Sequence, residues 1–172
     1  MNATFLLRLK AFFIDYLLIL AYLAVLAVLS LYLFPPVQEW FSGSLVVAQL
    51  VGFIIVTLPV SLYFIISDST LFGQSFGKKR TGIRVVDKDG ITPSIARLTI
   101  RTLLKFLPWE LSHYLVYRLV AVGDGDVPLS YTVIGVVIYV LIFAYILTAV
   151  FTKKKQSLYD LIVKTEVVKV SS

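Results

Sequence analysis

The stretch Arg8-Leu-Lys-Ala-Phe-Phe-Ile-Asp15 decides the fold, because two cations and an aspartate introduce an apolar run that extends to residue 34. A run of about 24 apolar residues can cross a bilayer as one helix, and it exceeds the roughly 7–15 residues of a signal-peptide core. We therefore expect residues 11–34 to form a retained membrane-spanning helix that stops at Pro35. An aspartate inside such a helix costs about 2.5–3.5 kcal/mol at the bilayer centre and less near its edge. Asp15 must then find a charged partner, a water path or a proton.

Composition places the chain among integral membrane proteins. Its 172 residues are 59 % apolar, whereas soluble domains contain roughly 45–50 %, and the length suits a single domain over residues 1–172. The chain has no cysteine and one histidine, which excludes disulfides and histidine-rich metal sites. Its net charge is +6, and in a membrane protein an excess of Lys and Arg is typical of the cytoplasmic loops. We expect the lipid bilayer rather than nucleic acid as its partner, and no cofactor.

Three further segments are candidate spans. Residues 45–66 and 131–151 carry no charge. Residues 101–122 begin at Arg101 and are apolar, but they also contain Lys105, Glu110, His113 and Arg118.

Charge in the loops fixes the predicted topology. Cations precede the first span and Lys153-Lys154-Lys155 follows the last, so both ends should be cytoplasmic and the number of spans even. We predict an all-α membrane protein, a four-helix transmembrane bundle with a cytoplasmic loop over residues 67–100 and a cytoplasmic tail over residues 152–172. The alternative is that residues 101–122 lie in the interface or re-enter the membrane.

The loop after the second span predicts a short β-hairpin between helices 2 and 3. Residues 83–86 alternate loosely, residues 87–90 read as a turn, and residues 91–92 begin the return strand. The tail has a short amphipathic turn after Lys155, followed by a polar segment through Glu166 and Lys169.

Three motifs in this order resemble the RDD family of small membrane proteins. They are Arg8 with Asp15 in the first span, Gly73-Gln-Ser-Phe-Gly-Lys78 with Gly82-Ile-Arg-Val-Val-Asp87, and Gln156-Ser-Leu-Tyr-Asp160. The family is named for one arginine and two aspartates, which the resemblance assigns to Arg8, Asp15 and Asp160. Many members carry Leu-His-Asp where this chain has Leu158-Tyr159-Asp160. The resemblance implies the fold and topology above, and either ion transport, including cation/proton exchange, or a scaffolding role in a larger membrane assembly.

Two interpretations remain open for Arg8, Asp15 and Asp160. Arg8 and Asp15 share a helix face two turns apart, about 10 Å along the axis, and Asp160 approaches the same membrane face from the tail. In one interpretation, the three residues form a site in which Asp15 and Asp160 bind a monovalent cation or a proton and Arg8 tunes them. In the other, they form a structural clamp that joins the tail to the first helix.

Glu110 and His113 lie three residues apart on one helix face near the middle of the third span. Ionisable groups at such depth are candidates for proton relays, and Pro108 can free backbone carbonyls for an ion. The alternative is an internal pair, or a carboxylate neutralised by Lys105 or Arg101.

The basic loop offers a further surface. Four cations are candidates for contact with anionic lipid headgroups: Lys78, Lys79, Arg80 and Arg84. The alternative is that these cations only set the topology. The segment 73–78 lacks the spacing of a phosphate-binding loop, and no nucleophile–base pair indicates an enzyme.

Two functions of different class follow. The first is a transporter, expected to be a homo-oligomer, that exchanges monovalent cations for protons through its buried carboxylates. The second is a non-catalytic accessory protein that binds a partner protein or anionic lipid. We expect the bacterial cell membrane as its location.

Overall fold

Four long helices dominate the protein, whose computed structural model describes residues 1–33, 36, 39–40 and 43–170. The elements named below follow chain order. They are α1 (Phe5–Tyr32), α2 (Leu45–Ser67), α3 (Phe76–Thr81), β1 (Ile83–Asp87), α4 (Ile95–Val122), α5 (Leu129–Phe151), α6 (Leu158–Val163) and β2 (Thr165–Lys169). The predicted stop at Pro35 lies outside the described residues.

Three of the long helices are long and apolar enough to cross a membrane. These are α1, α2 and α5, with mean hydropathies of 2.5, 2.4 and 2.7. Helix α4 is as long as α1, at 28 residues, but its ionisable side chains keep it out of this group. The predicted integral membrane class is therefore confirmed by three helices of the described chain, and α4 packs against both α2 and α5.

Two helices begin six residues before their predicted spans. The Thr4 and Ser94 hydroxyls accept hydrogen bonds from the Leu7 and Arg97 amides, at 3.3 and 3.4 Å, and so cap α1 and α4. Such caps satisfy the unpaired N–H groups of a first helical turn. Hydropathy detects only the apolar part of a helix, so the predicted spans do not mark where the two helices begin.

Two prolines interrupt the backbone ladders of α2 and α4, and a tyrosine from a neighbouring helix compensates each. Pro59 follows a π-helical turn over Phe53–Thr57, and the Tyr22 hydroxyl donates to the Ile55 carbonyl at 2.6 Å. Pro108 has no N–H for the carbonyl of Leu104, four residues before it. The Tyr145 hydroxyl donates to that carbonyl at 2.5 Å. The carbonyl that Pro108 was expected to offer to an ion is thus already hydrogen-bonded.

The predicted β-hairpin between helices 2 and 3 is wrong, although its first strand exists. Strand β1 pairs antiparallel with β2 from the tail, with Val85 opposite Val167. The turn is closed by the Asp87 carboxylate, which accepts hydrogen bonds from Asp89 and Ile91 amides at 2.9 and 3.1 Å. The helix cap at Ser94 follows so soon that no return strand fits.

The tail is a strand rather than a polar extension, because its alternate side chains are buried. Thr165 and Val167 of β2 face inward. Backbone bonds from Ala3 to Val167 (2.8 Å) and from Lys169 to Met1 (2.9 Å) add the N-terminus to the sheet edge. Buried apolar side chains from all these segments form one core, which we call the sheet core: Ala3, Ala11, Ile83, Val85, Leu98 and Val167.

Candidate functional site

Asp15 is buried at the junction of α1, α2 and α3, with 2 % of its surface exposed. It accepts three hydrogen bonds, none of them from arginine. The Tyr63 hydroxyl and the Gly77 amide donate to Oδ1 at 2.8 and 2.7 Å, and the Ser75 hydroxyl donates to Oδ2 at 2.6 Å. The cost of burying this carboxylate is therefore offset by donors from two other segments.

The local sequence explains why α3 reaches Asp15. The first amides of a helix have no partner within the helix and carry partial positive charge, so the Gly77 amide suits a carboxylate. A β-carbon on Gly77 would lie 2.9 Å from the Asp15 Cγ and would overlap the Ala11 carbonyl oxygen. Glycine is needed here because the backbones of α1 and α3 touch. Tyr63 completes the contact by accepting a hydrogen bond from the Phe76 amide at 2.9 Å.

Asp160 is fully buried and lies between two arginines. Arg8 pairs with its Oδ2, and the Arg101 Nε lies 2.8 Å from its Oδ1. The Ser157 amide (3.3 Å) and the Thr165 hydroxyl (3.1 Å) also donate to it. Burial alone would raise the pKa of Asp160, but the charges and hydrogen bonds of Arg101 and Arg8 hold that pKa below its ordinary value. Asp160 is therefore an ionised carboxylate at neutral pH.

A third carboxylate extends this arrangement. Asp68, at the end of α2, lies 2.7 and 2.6 Å from the Lys78 Nζ through its two oxygens. The Arg101 Nη1 lies 3.7 Å from Asp68, so Arg101 bridges Asp68 and Asp160. Together with Asp15, these side chains make a set of six that we call the charged cluster: Arg8, Asp15, Asp68, Lys78, Arg101 and Asp160. Through them α1, α2, α3, α4 and α6 are held together.

The structure does not bring Arg8, Asp15 and Asp160 together in one hydrogen-bonded group. Arg8 and Asp160 are paired as the clamp interpretation predicts. Asp15 and Asp160 belong to separate hydrogen-bonded groups, although Asp15 and Arg8 border one small polar cavity of about 80 Å³. Within the described ranges, no group of three His, Asp or Glu residues is placed to hold a metal ion.

Comparison with known families identifies the family of the chain. The model of the RDD family matches residues 2–164, nearly the whole chain, and this range includes Arg8, Asp15 and Asp160. The chain belongs to the RDD family. No curated protein and no solved structure matches it significantly. The resemblance predicted from the three motifs is thereby confirmed.

The RDD protein carries a second group of ionisable residues, which lies farther along the long helices from the charged cluster. Glu110 accepts a hydrogen bond from Thr57, which lies in the π-helical turn of α2. The His113 Nδ1 lies 3.7 Å from Glu110, beyond hydrogen-bonding distance, and its ring contacts Trp109 edge-on. Neither Lys105 nor Arg101 pairs with Glu110 in the described structure, because Arg101 binds the aspartates and Lys105 lies against Phe64.

The four headgroup candidates of this RDD protein divide into two sets. Lys79, Arg80 and Arg84 are exposed. Lys78 differs, since it is buried and its ammonium binds Asp68. Its long side chain points into the protein because Asp68, the residue directly after α2, supplies a carboxylate there.

Sequence reasoning missed four participants: Tyr63, Asp68, Ser75 and Arg101. In the sequence, Asp68 and Arg101 border predicted spans on the same predicted side as Asp15. That shared position could have indicated that the three residues lie close together. Tyr63 and Ser75 gave none, because their roles depend on how α3 folds back onto α1.

Proposed function

We propose that this RDD protein is a non-catalytic accessory membrane protein whose charged cluster is a structural clamp. One observation carries the proposal. Two of its buried aspartates bind donors from distant parts of the chain: Asp160 accepts from Arg8 and Arg101, and Asp15 accepts from Tyr63, Ser75 and Gly77. A carboxylate held by two arginines has little capacity left for a transported ion, but it fixes the elements that supply those donors.

The clamp joins the parts of the chain that carry family motifs. Arg8 belongs to α1, Asp160 to the tail, and Lys78 to the loop between α2 and α4. Removing one partner would leave a buried charge without compensation, which is strongly destabilising. This geometry supports a rigid platform, formed by loop and tail, that could receive a partner membrane protein.

The platform belongs, in this proposal, to a bundle of four transmembrane helices in the cell membrane. A helix of 28 residues extends about 42 Å at 1.5 Å per residue, enough to cross a bilayer. The polar residues of α4 turn toward α2, since Glu110 bonds Thr57 and Arg118 bonds Gln49 at 3.2 Å. Such internal pairing supports a spanning role for α4 despite its charges.

The orientation follows from the loops. The basic side chains of residues 78–84 and 153–155 lie at one end of the helices, whereas Asp124 and Asp126 follow α4 at its other end. Cytoplasmic loops are enriched in Lys and Arg. We accordingly place both chain ends in the cytoplasm.

Cation/proton exchange, by a homo-oligomer, is the second candidate, and Glu110 favours it. Its carboxylate borders a cavity of about 420 Å³ that Tyr114 and Arg118 also line. It bonds a π-helical turn, a feature frequently found at functional sites. An acid at such a depth with an open cavity can exchange a proton for a monovalent cation.

Flux through purified protein in liposomes decides between the candidates. The clamp predicts no pH-dependent uptake of Na⁺, K⁺ or Li⁺ by wild type, and a large fall in thermal stability for Asp15→Asn. Exchange predicts uptake that Glu110→Gln abolishes while the melting temperature stays near wild type. Asp124→Asn, an exposed change, serves as the control in both assays. Uptake with those properties would refute the accessory role.

A further inference from the structure

An apolar groove between α1, α2 and α4 begins at the charged cluster and continues along the helices. Its principal lining side chains are Phe12, Tyr16, Ile19, Val60, Phe64 and Trp109. The floor is closed, since Val60 and Phe64 are 8 % and 4 % exposed, whereas Phe12 and Tyr16 form an open rim. The stacked rings of Phe12 and Tyr16, with centroids 5.9 Å apart, form one wall.

Lys105 lies where the groove meets the polar cavity, and it lines both. Its Nζ lies 3.5 Å from the centre of the Phe64 ring and 5.2 Å from that of Phe106. No described carboxylate forms an ion pair with it. Lys105 therefore contributes a cation that only aromatic faces contact.

The balance of charge around the cavity is positive. Four cations, Arg8, Lys78, Arg101 and Lys105, border it, and they face the three aspartates of the charged cluster. Arg8 and Arg101 hold Asp160, Lys78 holds Asp68, and Asp15 is bound by neutral donors. Among these four side chains, Lys105 is the one that forms no ion pair with a described carboxylate.

We propose that the groove binds an acyl chain of an acidic phospholipid from the bilayer, with the lipid phosphate beside Lys105. The site combines an apolar channel with a cation at one end, which complements a molecule with a long chain and an anionic head. Lys105 is four residues beyond Arg101, about 6 Å along α4. A lysine near the membrane edge can extend its ammonium to the headgroup level.

The lipid would complete the accessory role, and this inference rests on that proposed function. A phosphate at Lys105 supplies that side chain with an anionic partner, while the chain covers the rim formed by Phe12, Tyr16 and Trp109. The headgroup cations predicted from sequence, such as Lys79 and Arg80, are exposed, and they line neither the groove nor the polar cavity. The structure therefore assigns the specific contact to Lys105 rather than to the exposed basic residues.

Thermal unfolding in detergent, with dioleoyl phosphatidylglycerol or dioleoyl phosphatidylcholine added, tests the assignment. A ligand that binds the folded state raises the melting temperature by mass action. Phosphatidylglycerol should raise it saturably and phosphatidylcholine should not. Lys105→Gln should weaken the apparent affinity at least about tenfold, while Lys79→Gln should leave it unchanged. The melting temperatures without lipid verify that both variants fold.

Ile19→Trp supplies a second variant that fills the groove without altering charge, and it should also weaken the response. Equal responses to the two lipids would overturn the proposal, as would an equal loss in Lys79→Gln. Inorganic phosphate or oleate acting as well as phosphatidylglycerol would also refute a phospholipid site. Ion flux in liposomes would refute the accessory role alone, so the two proposals fail in different assays.

Discussion

Gly77 of α3 lies so close to Ala11 of α1 that a β-carbon on Gly77 would overlap the Ala11 carbonyl oxygen. Gly77→Ala should therefore separate the two helices and remove the amide that binds Asp15. We expect a loss of about 3 kcal/mol or more in stability, at the upper end for overpacking, measured by chemical unfolding in detergent. Gly135→Ala is the matched control, since its β-carbon would meet Leu115 at an ordinary 3.6 Å. Equal effects would contradict the close contact.

Asp160→Asn removes the charge that Arg8 and Arg101 share. The buried guanidinium of Arg101 and the partly buried one of Arg8 would then lose the carboxylate between them, so the unfolding free energy should fall by about 3–5 kcal/mol. Asp124→Asn changes an exposed carboxylate and should have almost no effect. A variant as stable as wild type would show that the arginine pairs contribute nothing to the fold.

Stability should decline in acid because of Asp160. Its folded pKa lies below the ordinary value of 3.8, so the folded state favours the ionised form. That contribution is complete above about pH 5 and is lost as the pH falls through the folded pKa. Melting temperatures between pH 3 and 7 should reveal the decline, and Asp160→Asn should flatten it. A rise in stability toward pH 3 would contradict this assignment.

The pairing of β1 with β2 can be tested by a disulfide, because the chain has no cysteine of its own. Arg84 lies opposite Val168, and paired strands place Cα atoms about 4.5–5.5 Å apart, within disulfide range. Arg84→Cys with Val168→Cys should oxidise readily and shift mobility on a non-reducing gel. Val85→Cys with Thr92→Cys, the pair expected of a hairpin whose turn is formed by residues 87–90, should not. The reverse result would restore the hairpin.

Tyr145→Phe should expose the break that Pro108 makes in α4. The Leu104 carbonyl would lose the hydroxyl that lies 2.5 Å from it, and an unsatisfied buried acceptor costs about 1–3 kcal/mol. Tyr139→Phe, on the same helix but 65 % exposed, is the control. Similar losses in stability for both variants would mean that the tyrosine hydroxyl is not needed at the proline.

The sequence predicted the long helices and the family because their signals are local. Apolar runs and charged edges are read one segment at a time, and Arg8 could be matched with Asp160 through motif order. The partners of Asp15 could not be predicted in this way. They depend on α3 folding back onto α1, and the only trace of that contact is a glycine at position 77.

The same limit explains the false hairpin. Strand β1 and its turn have ordinary local signatures, but β2 lies about 80 residues later, at Thr165–Lys169, beyond the range of any turn rule. Its register was also hidden, because Glu166 and Lys169 made the tail read as polar. Thr165 and Val167 are buried because both chain ends join one sheet core, and no local pattern indicates that contact.

Asp160 and β2 follow every long helix in the chain, and this order governs how the protein is made. A ribosome releases Arg8 and Arg101 well before the carboxylate that neutralises them. The contacts of Asp160 with Arg8 and Arg101, and the pairing of β2 with β1, can therefore form only after the last strand is synthesised. A chain that ended before Asp160 would lack both.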